Sequence, residues 1–149
     1  MTHTPGTKKR SGKAATAAAL EALKLSGLKQ TAPRKAILVA LSLNHGPFTA
    51  EEVHKLVTKA ACDQATIYRA LTQLAEASLL RRCDFGDGIA RFEIAHGGHH
   101  HHHIVCNQCK RVEIIEDDEI EKIDRFARKR GFANVSHILE FFGTCPQCQ

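Results

Sequence analysis

The 149-residue chain has no tryptophan and a single tyrosine, Tyr68. It also lacks any apolar run near the roughly 20 residues that a membrane helix needs. Residues 1–13 carry Lys8, Lys9, Arg10 and Lys13 but no apolar stretch, so no signal peptide is expected there. A cytoplasmic protein follows, with thiols kept reduced or bound to metal and neither a membrane partner nor a small-molecule substrate. No repeat or long linker is present, and no His-Glu-x-x-His pattern supplies the general base of a metallohydrolase. The length suits one medium domain or two small ones, and an enzyme is not expected.

Chemistry-bearing residues are concentrated late in the chain. Five histidines, His99 to His103, run into Cys106-x-x-Cys109, and a second pair, Cys145-x-x-Cys148, follows after thirty-five intervening residues. Two thiolates two residues apart can grip one ion from a tight turn, and two such turns complete a tetrahedron around zinc. A structural zinc site on Cys106, Cys109, Cys145 and Cys148 is therefore expected, stapling a small domain across its length. Disulfides are the competing explanation, and nothing here suggests an oxidising compartment. If 99–105 is a strand, side chains alternate faces. His101 and His103 then point one way, and His100 and His102 the other, so one tract can feed two metal sites. An internal tag or a merely solvated histidine run are the bland alternatives.

Charge is uneven. Residues 1–96 hold 14 Lys and Arg against 8 Asp and Glu, a net of +6, while residues 97–149 hold 7 against 8, a net of −1. That asymmetry suggests a polyanion-binding module joined to a metal module. Residues 1–13 read as a disordered basic arm, 14–95 as the basic module and 96–149 as the metal module, hinged at 95–98.

Within the first module, 14–25 reads as a helix. Pro33 suits the first turn of a second, with Ala36, Ile37, Ala40 and Leu41 as its apolar stripe and His45-Gly46-Pro47 as its stop. Thr49 and Glu52 have capping-box spacing, opening a third helix lined by Val53, Leu56, Val57 and Ala60. A fourth, from about Gln64 to Ala77, should bury Ile67, Ala70, Leu71 and Leu74 and show Thr66, Tyr68, Arg69, Thr72 and Gln73. Strands at 79–85 and 89–94 flank Gly86-Asp87-Gly88, a hairpin signal. Helix, turn, helix and hairpin is the order of a winged helix-turn-helix. Gln64, Thr66, Tyr68 and Arg69 are then candidates for reading base edges, with Lys13 among the arm's phosphate contacts. An ordinary polar helix face is the alternative. In the second module a strand is expected at 112–115. A helix should follow from acidic Asp117-Asp118-Glu119 along Ile120, Ile123 and Ala127, with a central strand at 136–142.

Several motifs together resemble the ferric uptake regulator family of metal-responsive repressors. They are Thr-Ala-Pro-Arg (31–34), Thr-Ala-Glu-Glu-Val (49–53), Ala-Thr-Ile-Tyr-Arg-Ala-Leu (65–71) and Arg-Phe-Glu (91–93). His-His-His-Ile-Val-Cys-Asn-Gln-Cys (101–109), Val-Ser-His (135–137) and Phe-Gly-Thr-Cys-Pro-Gln-Cys (142–148) continue the likeness over nearly the whole chain. The resemblance implies an α+β fold, an N-terminal winged helix followed by a small α/β dimerisation domain. It implies a homodimer that binds palindromic double-stranded DNA when metal is bound. The four cysteines match the family's structural zinc ligands. Glu93, His101 and His103 match a hinge-proximal regulatory site, and His100, His102, Glu121 and His137 a further one.

Two positions depart from the family pattern. Ile114 stands where a carboxylate is usual, with Glu113 adjacent but directed to the opposite face, and Pro47 stands where a ligand is usual, with His45 nearby. The expectation is a repressor with iron(II) as regulatory metal. Zinc-responsive or peroxide-sensing behaviour, a metalloenzyme, and a DNA-binding protein with purely structural zinc are the alternatives. Of the remaining cysteines, Cys62 reads as a small buried residue. Cys83 lies on the first hairpin strand, where it could supply a soft ligand.

Overall fold

The computed structural model describes residues 12–44, 46–57, 62–95, 102–115, 118–133, 135, 137 and 139–149, without the side chains of 118–121 and 124. They fall into two compact units, one within 6–97 and the other within 98–149. His99, His100, His101, His45, the side chain of Glu121 and most of the basic arm lie outside the described residues.

The first unit opens with α1 (Gly12–Leu25), so Gly12 and Lys13 belong to a helix rather than to the arm. Next come α2 (Ala32–Leu43), β1 (Phe48–Thr49), α3 (Ala50–Leu56), α4 (Gln64–Glu76), β2 (Leu80–Asp84) and β3 (Ala90–Ile94). The Thr49 side chain accepts from the Glu52 amide at 3.2 Å, and the Glu52 carboxylate accepts from the Thr49 amide at 2.8 Å. This closes the expected capping box at the start of α3. Leu56 is a correction: it is 44% exposed, because α3 ends there and Val53 and Val57 already cover the core side. α4 buries Ile67, Ala70, Leu71 and Leu74 as its 3.6-residue period requires. These pack with Leu23, Ile37, Leu38, Leu41, Leu80 and Phe92 into one core.

Strands β2 and β3 pair antiparallel, with Cys83 opposite Arg91 and Arg81 opposite Glu93. β1 adds to the free side of β3, giving the order β1-β3-β2. The hairpin turn uses Gly86 and Gly88 at φ 74° and 73°, conformations that disfavour other residues.

The second unit contains β4 (His102–Cys106), β5 (Val112–Ile115), α5 (Asp118–Arg128) and β6 (Glu140–Gly143). Its sheet order is β5-β4-β6, with β4 and β5 antiparallel and β4 and β6 parallel. The expected central strand is thus corrected: β6 is shorter and lies at the edge, with Phe141 and Phe142 exposed. Ile123 of the expected apolar stripe on α5 is likewise 66% exposed, and Phe126 beside it is exposed too.

Candidate metal centres and nucleic-acid interface

Parallel pairing of β4 with β6 closes the thirty-five-residue gap between the cysteine pairs. Cys106 stands opposite Gly143, and the Asn107 amide donates to the Gly143 carbonyl at 2.8 Å. Each strand therefore runs into its own Cys-x-x-Cys turn on the same end of the sheet. The first turn closes with Lys110 N–H on the Cys106 carbonyl at 3.0 Å. The second closes with Cys148 N–H on the Cys145 carbonyl at 2.9 Å. One donor atom from each of the four cysteines falls within 4.8 Å of every other.

Two observations fit this set to a metal rather than to disulfides. Cys109 Sγ and Cys145 Sγ are 3.8 Å apart. Disulfide sulfurs lie at about 2.05 Å, whereas sulfurs about 2.3 Å from one tetrahedral zinc are about 3.8 Å apart. Backbone amides also favour a thiolate within this set. The amide of Cys145, 3.4 Å from Cys106 Sγ, leads a set of backbone donors that lower the Cys106 thiol to about 6. Hydrogen bonding to the Cys145 and Cys109 sulfurs pushes Cys148 up to about 12. One thiolate is thus favoured and the last proton strongly held, the pattern expected of sulfurs crowded without a shared positive charge.

Histidines form a second constellation in the same unit. His102 and His103 lie side by side on β4, facing opposite ways, and both are buried. The His102 and His137 rings stack with centroids 5.0 Å apart and Nε2 atoms 3.3 Å apart. His102 Nδ1 lies 3.3 Å from the Leu139 carbonyl, which selects the tautomer that leaves Nε2 as the acceptor. Two nitrogens on one tetrahedral zinc would be about 3.3 Å apart, so this pair has ligand spacing. His137 precedes β6 instead of lying within a strand, contrary to expectation. Glu121 belongs to α5. His103 pairs with Ile114, and Glu113 with Ile104, so Glu113 faces away from His103 and pairs with Arg111 at 2.9 Å.

In the first unit Glu93 is buried on β3. Its Oε1 is 3.8 Å from both Cys83 Sγ and Arg81 Nη1. Cys62 is partly buried against the core.

Asp63 caps α4, accepting from the Thr66 amide at 2.6 Å, and that bond holds its carboxyl below the ordinary range. The cap satisfies one of the otherwise unpaired amides of the first turn. Gln64, Tyr68 and Arg69 are exposed and Thr66 half-buried, while Lys13 is exposed on α1. Thr72 instead donates to the Tyr68 carbonyl, and Gln73 accepts from Arg34. The offered face is therefore the N-terminal half of α4.

Two bracing residues were not assigned from sequence. Arg34, inside the Thr-Ala-Pro-Arg motif, donates to the Lys29 carbonyl at 2.7 Å and to Gln73 Oε1 at 2.6 Å. Arg91 donates to both Asp87 carboxylate oxygens, at 3.0 and 2.8 Å, and lies over the Phe85 ring. Its guanidinium lowers the Asp87 carboxyl to about 2. Asp87 and Arg91 stand four residues apart across a Gly-Asp-Gly turn, which was the available signal.

A model described as the ferric uptake regulator family matches residues 25–142. The ferric uptake regulation protein of Legionella pneumophila is 41% identical over 132 residues, covering 85% of this chain and 96% of that one. That of Cupriavidus metallidurans is 42% identical over 129 residues, covering 84% and 90%. Among solved structures, the ferric uptake regulator from Pseudomonas aeruginosa with manganese superposes with a TM-score of 0.73. It is 37% identical and covers 85% of this chain and 97% of that one. The match spans both the winged unit and the sheet that carries the cysteine turns, and the chain belongs to the ferric uptake regulator family of metal-responsive, DNA-binding transcriptional regulators.

Proposed function

We propose that the chain is a metal-dependent repressor that binds a palindromic operator as a homodimer. The observation that carries this is the N-terminal half of α4, capped by Asp63 and presenting Gln64, Thr66, Tyr68 and Arg69 beside a braced hairpin. Amide, hydroxyl and guanidinium groups of this kind read base edges in a major groove, and Lys13 adds a phosphate contact. It is a regulator rather than an enzyme, and it acts in the cytoplasm. No described helix is long and apolar enough to cross a membrane.

Self-association is supported by apolar side chains that one chain leaves exposed: Ile123 and Phe126 on α5, and Phe141 and Phe142 on the edge strand β6. An apolar edge strand invites pairing with a second copy.

Cys106, Cys109, Cys145 and Cys148 hold structural zinc, whose chemistry here is to bind four thiolates and nothing else. Glu93, His101 and His103 form the regulatory site, and His100, His102, Glu121 and His137 a further one. Iron(II) is the regulatory metal we favour, because the relatives at 41% and 42% identity are ferric uptake regulation proteins. Zinc is the second ion to test, a choice supported by a solved structure of similar fold, 28% identical, described as a zinc-bound manganese uptake regulator.

The test is operator binding by the full-length dimer, titrated anaerobically with iron(II) or zinc at buffered free concentrations. Metal-dependent binding that vanishes in Glu93→Ala while the cysteine zinc remains is the expected result. Operator affinity indifferent to metal would leave a non-sensing DNA-binding protein and overturn the proposal.

A further inference from the structure

Cys83 lies outside both cysteine pairs. It is buried on β2, and Glu93 is buried on the neighbouring strand β3. The register sets Cys83 opposite Arg91 and Arg81 opposite Glu93, so Cys83 and Glu93 are diagonal neighbours. Their donor atoms, Sγ and Oε1, are 3.8 Å apart.

That separation discriminates between coordination geometries. A thiolate at about 2.3 Å and a carboxylate oxygen at about 2.1 Å from one zinc are about 3.6 Å apart at the tetrahedral angle, and about 3.1 Å apart at a right angle. The observed 3.8 Å, a thiol-to-carboxylate contact, lies nearer the four-coordinate value than the right-angle one. Both donors are buried, Cys83 at 2% and Glu93 at 6% exposure, so an ion held between them would be shielded from water.

We propose that Cys83 is a metal ligand together with Glu93, and that its thiolate equips the regulatory site to take zinc in four-coordinate geometry as well as iron(II). The proposal rests on the reading of Glu93 as a regulatory ligand. Loss of the thiol proton on binding completes the donor, and the proton leaves to solvent. A sulfur donor favours zinc over harder ions, and this chain lacks the carboxylate at Ile114 that would extend an oxygen-rich site.

The test uses cobalt(II), whose bonds to thiolate sulfur give a near-ultraviolet charge-transfer band. Full-length protein with zinc retained in the four-cysteine site is titrated anaerobically with cobalt(II), following zinc release and absorbance together. The expected result is a charge-transfer band without zinc release. It should vanish in Cys83→Ser and in Cys83→Ala, with affinity falling by more than the roughly 10–100-fold typical of losing an outer-shell partner. Cobalt uptake that depends on Glu93 but gives no such band, or a band that survives both Cys83 variants, overturns ligation by Cys83 and leaves Glu93 standing. Absence of uptake beyond the zinc site, or uptake unaffected by Glu93→Ala, overturns the Glu93 assignment and this proposal with it.

Discussion

Arg34 and Gln73 are joined by a 2.6 Å hydrogen bond that ties the start of α2 to the C-terminal half of α4. The same guanidinium holds the Lys29 carbonyl at 2.7 Å. α4 is thereby anchored at the end remote from Gln64, Thr66, Tyr68 and Arg69. Because these bonds are exposed, Arg34→Ala should lower stability by only about 0.5–1.5 kcal/mol. Operator affinity should fall more than that, since the reading helix loses its brace. Thermal unfolding and operator titration on the same variant check this, and equal small losses in both would reduce Arg34 to a surface contact.

Tyr68 and Arg69 should each carry a base or phosphate contact. A lost base contact typically costs ~1–3 kcal/mol. Tyr68→Phe and Arg69→Ala should weaken operator binding about tenfold or more, with zinc content and oligomeric state unchanged. Both side chains are exposed, so neither substitution opens the core. Wild-type affinity in both variants would move the interface elsewhere.

The hairpin brace has a pH signature. The Arg91 guanidinium beside Asp87 lowers its carboxyl from 3.8 to about 2 in the folded chain. A depressed carboxylate contributes stability above its unfolded value and loses it as pH falls through its folded value. The stability difference between wild type and Asp87→Asn should therefore be constant above about pH 5 and shrink between about pH 4 and 2. Measuring that difference, instead of either curve alone, cancels the other titrating groups. A difference that grows on acidification would mean the Asp87–Arg91 pair is not stabilising.

Much of the first unit could be read from residue spacing, because its determinants are local. The buried face of α4 follows from Ile67, Ala70, Leu71 and Leu74, and the capping box from Thr49 and Glu52. What escaped were relationships between distant segments. β1 has only two residues, too few for any periodicity, and exists because Phe48 pairs with Phe92. Arg34 meets Gln73 across thirty-nine residues. Leu38 is buried on α2 because neighbouring helices cover more of that helix than one stripe. The place of β6 at the sheet edge is decided by topology, which an apolar run does not encode. The cysteine turns were explicit in spacing, whereas the apposition of Cys83 and Glu93 needed the hairpin register.

The exposed apolar groups of the second unit should form the contact between copies. Ile123→Asp on α5 and Phe142→Asp on β6 place a charge where one chain leaves a hydrophobe in solvent. Folding of the single chain should survive, but burying a charge in an interface should shift the protein to monomer. Light scattering across a concentration series reads this out. Dimers of undiminished affinity in both variants would place the interface on another surface.

Removal of the cysteine zinc should unfold one unit and spare the other. In the second unit the only buried apolar residues among those described are Val105 and Cys106, too little to hold a three-stranded sheet. β6 is a four-residue edge strand whose partner ends in Cys106 and whose own chain continues into Cys145. A structural thiolate site supplies on the order of 10 kcal/mol of folding free energy, more than such a unit has in reserve. The first unit, by contrast, has its own core around Leu23, Ile37, Ile67, Leu71 and Phe92. Chelation, or Cys109→Ser with Cys145→Ser, should therefore abolish amide protection in 102–106 and 140–143 while 37–41 and 67–74 keep theirs. Amide hydrogen exchange on zinc-loaded and zinc-free full-length protein makes the comparison directly. If β4 and β6 stay protected without zinc, the four cysteines are not what holds that sheet together.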